Sequence, residues 1–316
     1  MWAVLDIVLP VFALIALGLG FRATGIFGED VERGLSRFVF TLAIPALIVR
    51  TLATSGLPDQ LPFLYWTAYF SGALIAWAAA GAVSYWRARS LPLAISIGFS
   101  SAFSNTVLLG IPLILTAFGD EASVPLFLLV SIHLPFLMFV GTVLMELALR
   151  DRSTSLAASL LRAGRGLSHN PIFVGIVIGG VLGVSQVPLP PLVDSVLMRL
   201  GQAAVPVALF AMGMTLMTHR PRSRLALRQH AMEAGVMALA KLVIHPALVL
   251  ILARAFALPP IWTAAAVLFA ACPAGVNTYL FAATYNQGVG AASNNIALTS
   301  ALAVVSVTLW LSLLTG

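Results

Sequence analysis

The sequence carries very little charge for its length. Asp, Glu, Lys and Arg make up 9% of its 316 residues, whereas 60% of the residues are hydrophobic. A soluble domain usually carries about 25% charged residues, because its surface must be covered with polar groups. The mean hydropathy of +1.02 agrees with this comparison. The composition therefore excludes a soluble globular protein and predicts an integral membrane protein.

Motifs for catalysis and for metal or cofactor binding are also lacking. The single cysteine, Cys272, cannot form an internal disulfide or a cysteine metal cluster. No H-E-x-x-H or G-x-S-x-G pattern occurs, and the glycine pattern from Gly18 to Ala23 ends an apolar segment instead of opening a βαβ unit. We therefore predict that the chain is not an enzyme and uses no cofactor or metal. The pI of about 10.2 is attributed to arginines in loops, so no nucleic-acid partner is expected.

Ten apolar segments lie between short polar turns. Each is close to the roughly 20 residues that a transmembrane helix needs. They predict an all-α integral membrane protein with ten transmembrane helices in the lipid bilayer. The segments lie at 3–21, 34–54, 62–86, 92–118, 122–149, 170–186, 192–217, 232–254, 260–285 and 290–314.

The arginines predict the orientation of the chain. Thirteen of them lie in the loops after segments 1, 3, 5 and 7, whereas Arg50, Arg199 and Arg254 lie on the opposite side. Loops rich in Arg and Lys stay in the cytoplasm. We therefore predict a multi-pass protein of the cell (inner or plasma) membrane with both termini outside. The thirteen arginines are Arg22, Arg33, Arg37, Arg87, Arg89, Arg150, Arg152, Arg162, Arg165, Arg220, Arg222, Arg224 and Arg228.

Short matches between the two halves indicate an internal repeat. A shift of 161 residues places Pro10-Val11-Phe12 on Pro171-Ile172-Phe173, Gly18 on Gly179, and Pro45 on Pro206. A shift of 172 residues places Asn105-Thr106 on Asn277-Thr278. Each repeat would hold five spans, an odd number, so the halves would have opposite topology, as in many secondary transporters. We predict repeats at 1–150 and 170–316, joined by a cytoplasmic linker at 151–169; shared composition without duplication is the alternative.

Segments 4 and 9 contain small and polar residues where a lipid-facing helix would carry Leu or Val. Pro273 and Gly275 disfavour a regular helix in segment 9, and Asn105 and Asn277 are good helix N-caps. We predict that both helices unwind near the asparagine and restart, so that two positive helix N-termini point at an anion at the bilayer centre. The alternative is a kinked, continuous helix with a hydrogen-bonded asparagine.

These motifs resemble the auxin efflux carrier family, which includes plant carriers and bacterial permeases such as malonate transporters. The resemblance rests on Asn105-Thr106 with Gly110-Ile111-Pro112-Leu113, and on Pro273-x-Gly275 with Phe281-Ala282-x-x-Tyr285. It implies a scaffold of helices 1, 2, 6 and 7 and a moving unit of helices 3–5 and 8–10, with helix 4 crossing helix 9. Plant members carry proline beside the crossover asparagine and a long cytoplasmic loop. This chain has neither, which disfavours auxin itself as the substrate.

The candidate site combines the two interrupted segments with buried ionisable groups. The predicted substrate-binding residues are Ser104, Asn105, Thr106, Asn277 and Thr278, and the predicted crossover backbone residues are Pro273 and Gly275. Lys241, His133 and His245 lie within predicted spans, where ionisable groups are costly and usually functional. They are assigned to charge complementarity or coupling; a neutral histidine bonded to a carbonyl is the alternative. Met212, Met214 and Met217 are expected only to pack.

The predicted function is secondary transport of small organic carboxylate anions, malonate-like or auxin-like, by an elevator-type movement. No carboxylate occupies the core of segments 3, 4, 9 or 10, which suits an anionic substrate. An anion channel or uniporter, and a transporter-like sensor without flux, are the alternatives. A homodimer through the scaffold helices also stays open.

Overall fold

In a computed structural model of the chain, the described residues form helices and their connections. These residues are 2–55, 62–149, 168–218 and 231–315. Within these ranges no β-strand occurs, and one isolated antiparallel bridge joins Ser104 to Ala274. The all-α prediction is therefore confirmed for this part of the chain.

Fourteen α-helices are present in the described ranges, numbered here in chain order. They are α1 Trp2–Ala23, α2 Glu29–Phe38, α3 Ile44–Ser55, α4 Phe63–Ala88, α5 Leu91–Ala102, α6 Ile111–Phe118, α7 Ser123–Leu149, α8 Pro171–Ser185, α9 Pro191–Thr218, α10 Ala231–Leu239, α11 His245–Ala255, α12 Pro260–Ala271, α13 Val276–Thr284 and α14 Val289–Thr315. Three π-helical turns connect neighbouring helices, at Val39–Ala43, Thr106–Gly110 and Ala240–Ile244, and a short 3₁₀ turn, Gly119–Ala122, precedes α7.

Seven helical stretches of the described chain are long and apolar enough to cross a membrane, judged by length and composition. One of them, Thr106–Leu149, is 44 residues long and covers the second part of predicted segment 4 together with segment 5. Leu91–Ala102, Pro171–Ser185 and Pro260–Ala271 are shorter apolar helices. The chain is therefore a multi-pass membrane protein, and the predicted segment at 34–54 starts earlier than expected, at Glu29.

Each π-helical turn is followed by an X-Pro pair that explains it. Proline lacks an N–H and its ring clashes with the carbonyl four residues earlier, so the preceding turn widens. The three prolines are Pro45, Pro112 and Pro246. In the third turn the freed carbonyl of Leu242 accepts bonds from Trp310 Nε1 at 2.9 Å and Ser306 Oγ at 3.1 Å. Side chains of α14 thus satisfy the backbone group that Pro246 leaves unpaired.

Helices α1 and α9 pack so closely that glycine is required on both. A Cβ built on Gly18 would lie 2.0 Å from the carbonyl oxygen of Phe210, and one on Gly213 would lie 1.9 Å from that of Ile15. Small residues permit such backbone contact in membranes, where van der Waals packing drives helix association. The Gly175 and Gly179 face of α8 packs in the same way on α3.

We expect Gly18→Ala to separate α1 from α9 and to lower the unfolding temperature by several degrees, because the contact is with rigid backbone and overpacking costs about 1–3 kcal/mol. Gly20→Ala is a matched control on the same helix, since nothing lies within 4 Å of its Cβ position. Thermal unfolding of both variants in detergent tests this. Equal unfolding temperatures for the two variants would contradict the packing argument.

Ion pairs join helix ends in three places. Arg22 at the end of α1 contacts Glu32 of α2 at 3.3 Å, Arg50 of α3 contacts Asp194 of α9 at 2.7 Å, and Arg87 of α4 contacts Glu233 of α10 at 3.8 Å. Glu233 lies eight residues before Lys241 in the sequence, but its contact is with Arg87. Two further predictions concern the 151–169 linker with its arginines and the four arginines from 220 to 228. All of these arginines, and the linker up to 167, lie outside the described residues.

Candidate functional site

Both predicted interruptions are present as short extended segments between helices. Helix α5 ends at Ala102, and the chain resumes helical structure at Thr106. Helix α12 ends at Ala271, and α13 begins at Val276 with Gly275 as its N-cap. Asn105 caps the first restart without a side-chain cap bond, whereas Asn277 lies inside the first turn of α13. The asparagines therefore lie beside the breaks, but neither provides the expected side-chain cap.

The two extended segments pair with each other through backbone hydrogen bonds. The N–H of Asn105 donates to the carbonyl of Pro273 at 2.8 Å, and the N–H of Gly275 donates to the carbonyl of Phe103 at 3.3 Å. A Cβ on Gly275 would lie 3.0 Å from the carbonyl oxygen of Ser104, which explains the glycine at this close approach. Backbone groups freed by broken helices must be satisfied inside a membrane, and here each break satisfies the other. We call this paired region, residues 103–105 and 272–275, the crossover.

Helix α14 supports the crossover from one side. Thr299 Oγ1 accepts from the N–H of Ala274 at 3.1 Å and donates to the carbonyl of Asn295 at 2.6 Å. Asn295 Nδ2 donates to the carbonyl of Ser100 in the last turns of α5 at 3.0 Å. Both side chains are fully buried. Neither residue was predicted as part of the site, although an Asn and a Thr four residues apart on an apolar helix are a signal that the sequence contains.

Lys241, the chain's single lysine, joins the crossover to the third π turn. Its buried ammonium donates to Ser104 Oγ at 2.6 Å, to the carbonyl of Ala270 at 2.6 Å and to His245 Nδ1 at 3.3 Å. An ammonium has three donors, so all three are used. No carboxylate of the described residues lies within 4 Å of it. The ammonium therefore contacts both interrupted helices without a counter-ion from the described chain.

His133 of α7 and Tyr69 of α4 complete a buried polar cluster around Ser104. The N–H of Ser104 donates to His133 Nε2 at 3.2 Å, so a neutral His133 carries its proton on Nδ1, 3.1 Å from the Tyr69 hydroxyl. Tyr69 also lies 3.4 Å from Ser104 Oγ. His245 receives the Lys241 bond at Nδ1, and its Nε2 has no partner in the described chain. Tyr69 was not predicted as part of this site.

Two adjoining cavities open beside the crossover. The larger, of about 380 Å³, lies within the usual size range of small-molecule pockets, and we call it the vestibule. The smaller is about 230 Å³ and reaches the N-terminus of α8. Four residues line both cavities: Phe40, Thr106, Val107 and Asn277. Ser104, Asn105 and Gly275 line the vestibule alone.

The predicted substrate-binding residues differ in their availability. Thr106 and Asn277 are partly exposed on the wall of both cavities, and neither side chain has a hydrogen-bond partner in the described chain. Asn105 Nδ2 donates to Met212 Sδ of α9 at 2.9 Å, so Met212 does more than the expected packing. Thr278 is fully buried and its hydroxyl donates to the carbonyl of Gly275. Lys241, His133 and His245 lie behind the cavity wall and not on it.

Comparison with known proteins identifies the family. A family profile described as "Membrane transport protein" matches residues 3–311. The chain belongs to this membrane transport protein family, and the resemblance to auxin efflux carriers is thereby confirmed. A "Putative malonate transporter" of Rhizobium meliloti (strain 1021) is 31% identical over 308 residues, covering 96% of this chain and 93% of that protein. An "Uncharacterized transporter" of Methanothermobacter thermautotrophicus is 26% identical over 317 residues, covering 96% of each.

Membership of this family identifies the chain as a transporter and not an enzyme. The transporter family also implies a small-molecule substrate and a lipid environment, in agreement with the composition.

Proposed function

We propose that this protein is a secondary transporter of small organic carboxylate anions, with the substrate bound at the crossover. The observation that carries the proposal is the pair of polar side chains, Thr106 and Asn277, which face both cavities without a partner in the described chain. Each lies in the first turn after a helix interruption. The first N–H groups of a helix have no partner within it and attract anions. The relative named for malonate supports a carboxylate as the substrate.

The proposed architecture is ten spans in two inverted repeats, 1–150 and 170–316, with helices 1, 2, 6 and 7 as the scaffold. A pair of close contacts supports it. Gly18 lies against the backbone of Phe210, and Gly179 lies against the backbone of Val49. A shift of 161 residues converts Gly18 to Gly179 and Val49 to Phe210. The two contacts therefore join equivalent positions of the two halves, which is the arrangement expected of a duplicated fold.

Alternating access by an elevator-type movement is the mechanism we propose, because the crossover is bonded mainly to helices of the proposed moving unit. Ser104 contacts Tyr69, His133 and Lys241, which lie on three different spans of that unit. Ser104, Pro273 and Gly275 would shape the site, while Lys241, His133 and His245 would position it and tune its charge. We further propose the cell membrane as its location, both termini outside, and a homodimer through the scaffold.

Transport by purified protein in liposomes tests the proposal. We expect saturable uptake of radiolabelled malonate or a related small carboxylate, measured under imposed pH, Na⁺ and voltage gradients to identify the driving ion. Non-saturating flux with single-channel currents would support a channel instead. Carboxylate binding, detected by thermal stabilisation without any flux, would support a sensor. Absence of both binding and flux across a panel of mono- and dicarboxylates would contradict the proposed substrate class.

A further inference from the structure

The vestibule wall contains one charged side chain, Glu32, among the described residues that line it. Glu32 lies in the first turn of α2, and only 8% of its surface is exposed. Acidic residues are rarely buried unless they are paired, and a negative charge beside the path of an anion is unexpected. The carboxylate therefore needs an explanation beyond anion binding.

Two neighbouring helices hold the Glu32 carboxylate in place. Arg22 Nε at the end of α1 donates to Oε2 at 3.3 Å, and Thr218 Oγ1 at the end of α9 lies 3.1 Å from both oxygens. All three helices belong to the proposed scaffold. Glu32 is thus a fixed charge on the wall of the vestibule and does not belong to the crossover.

The Arg22 guanidinium is shared between two carboxylates. Besides Glu32 it contacts Glu29 at 3.4 Å, but the Glu29 side chain is 65% exposed and does not line the vestibule. Arg22 itself is absent from the vestibule wall. An anion in the vestibule therefore meets the carboxylate of Glu32 directly, while its partner cation lies behind it and is partly neutralised by Glu29.

We infer that Glu32 determines charge specificity at the entrance to the site, favouring carboxylates with one negative charge over those with two. This inference rests on the proposed function. Coulomb repulsion scales with the product of the charges, so a fixed carboxylate opposes a dianion about twice as strongly as a monoanion. A dicarboxylic acid would enter preferentially in its singly charged form.

A labelling experiment measures the effect of Glu32 without any substrate. Ser36 lines the vestibule four residues after Glu32, on the same helix face. Ser36→Cys in a Cys272→Ala background gives one thiol, which is labelled with an anionic sulfonatoethyl or a cationic trimethylammonioethyl methanethiosulfonate. We expect Glu32→Gln to lower the ratio of cationic to anionic labelling rates by about tenfold, because loss of a nearby charge shifts the two rates in opposite directions.

Glu29→Gln is the matched control, since it removes the same charge from the other partner of Arg22 but away from the wall. Because this change also leaves Arg22 free to neutralise Glu32 more fully, we expect it to lower the labelling ratio slightly, by less than about twofold. Arg22→Gln should raise the ratio, because it removes the cation that partly neutralises Glu32. It provides a second test if Glu32→Gln fails to fold. Equal shifts in Glu32→Gln and Glu29→Gln, or no shift in Glu32→Gln with Arg22→Gln also unchanged, would overturn the inference.

Transport then tests specificity itself. Glu32→Gln should lower KM for a dicarboxylate at least threefold more than for a monocarboxylate, measured from the side to which the vestibule opens, with kcat changed equally for both. An unchanged KM ratio would overturn the inference while leaving the proposed function intact. If the wild-type protein transports no carboxylate, the proposed function fails, whereas the labelling ratio still reports whether Glu32 controls charge in the vestibule.

Discussion

Asn105→Ala and Asn277→Ala are each expected to reduce carboxylate uptake by about 10- to 100-fold while leaving the fold intact. A hydrogen bond to a charged group contributes about 1.5–3 kcal/mol, and each 1.4 kcal/mol corresponds to a factor of ten. Asn277 has no partner in the described chain to lose, so its replacement should not destabilise the protein. Asn105 loses only a weak bond to the Met212 thioether.

Initial uptake rates in liposomes, with thermal unfolding of each variant in detergent, measure these effects. Ser36→Ala is the control, because Ser36 lines the same vestibule nearer to Glu32. Its uptake should stay within about twofold of wild type if binding requires direct contact at the crossover. Uptake close to wild type in both asparagine variants would disprove the site assignment.

Lys241→Met is expected to abolish transport and also to lower the unfolding temperature. The substitution keeps an apolar stem but leaves the Ala270 carbonyl without the Lys241 bond and removes a donor from Ser104 Oγ. Each buried group left unsatisfied costs about 1–3 kcal/mol, and both groups lie at the crossover. Lys241→Arg should not rescue transport, since a planar guanidinium cannot reproduce three bonds made by a compact ammonium in a fully buried position.

The double variant Lys241→Met with Ser104→Ala tests whether the two residues act together. If they do, the loss of stability in the double variant should be smaller than the sum of the single losses by about 1 kcal/mol. Leu242→Met serves as the control, because it is a buried, nearly isosteric change in the same π turn. A Lys241→Met variant that unfolds at the wild-type temperature would contradict a positioning role for Lys241.

The local chemistry of the interruptions could be predicted from the sequence. Pro273 and Gly275 disfavour helix by their own backbone properties, and the structure contains a break at that point. The cap, however, is Gly275 and not Asn277. Predicting this requires knowing that the opposite segment leaves a Cβ on Gly275 only 3.0 Å from the Ser104 carbonyl oxygen, and no local pattern contains that information.

Long-range partners could not be predicted. Asn105 and Met212 are 107 residues apart, and Lys241 and Ser104 are 137 residues apart. Both contacts depend on how the helices pack and not on any spacing within the chain. Tyr69 and Thr299 were missed for the same reason, since a single Tyr or Thr in an apolar helix has many possible partners.

The positions of the π-helical turns could be predicted from the prolines, but their form could not. Pro45, Pro112 and Pro246 each follow a π turn, and the clash of a proline ring with the carbonyl four residues earlier is a local effect. The sequence alone does not indicate whether the helix kinks, breaks or widens, because that choice depends on which neighbour satisfies the freed carbonyl. At Pro246 it is Trp310, on a helix 64 residues later.

The contact between Asn105 and Met212 has a mechanical consequence for the proposed transport cycle. Tyr69, His133, Lys241 and Thr299 bond the crossover to the proposed moving unit. Among the described residues, a single side-chain hydrogen bond joins the crossover to the proposed scaffold, and its acceptor is the Met212 thioether. A thioether is a weak acceptor on a chain with three rotatable bonds. The crossover could therefore move past Met212 as a rigid unit, because only one weak hydrogen bond to the scaffold would have to break.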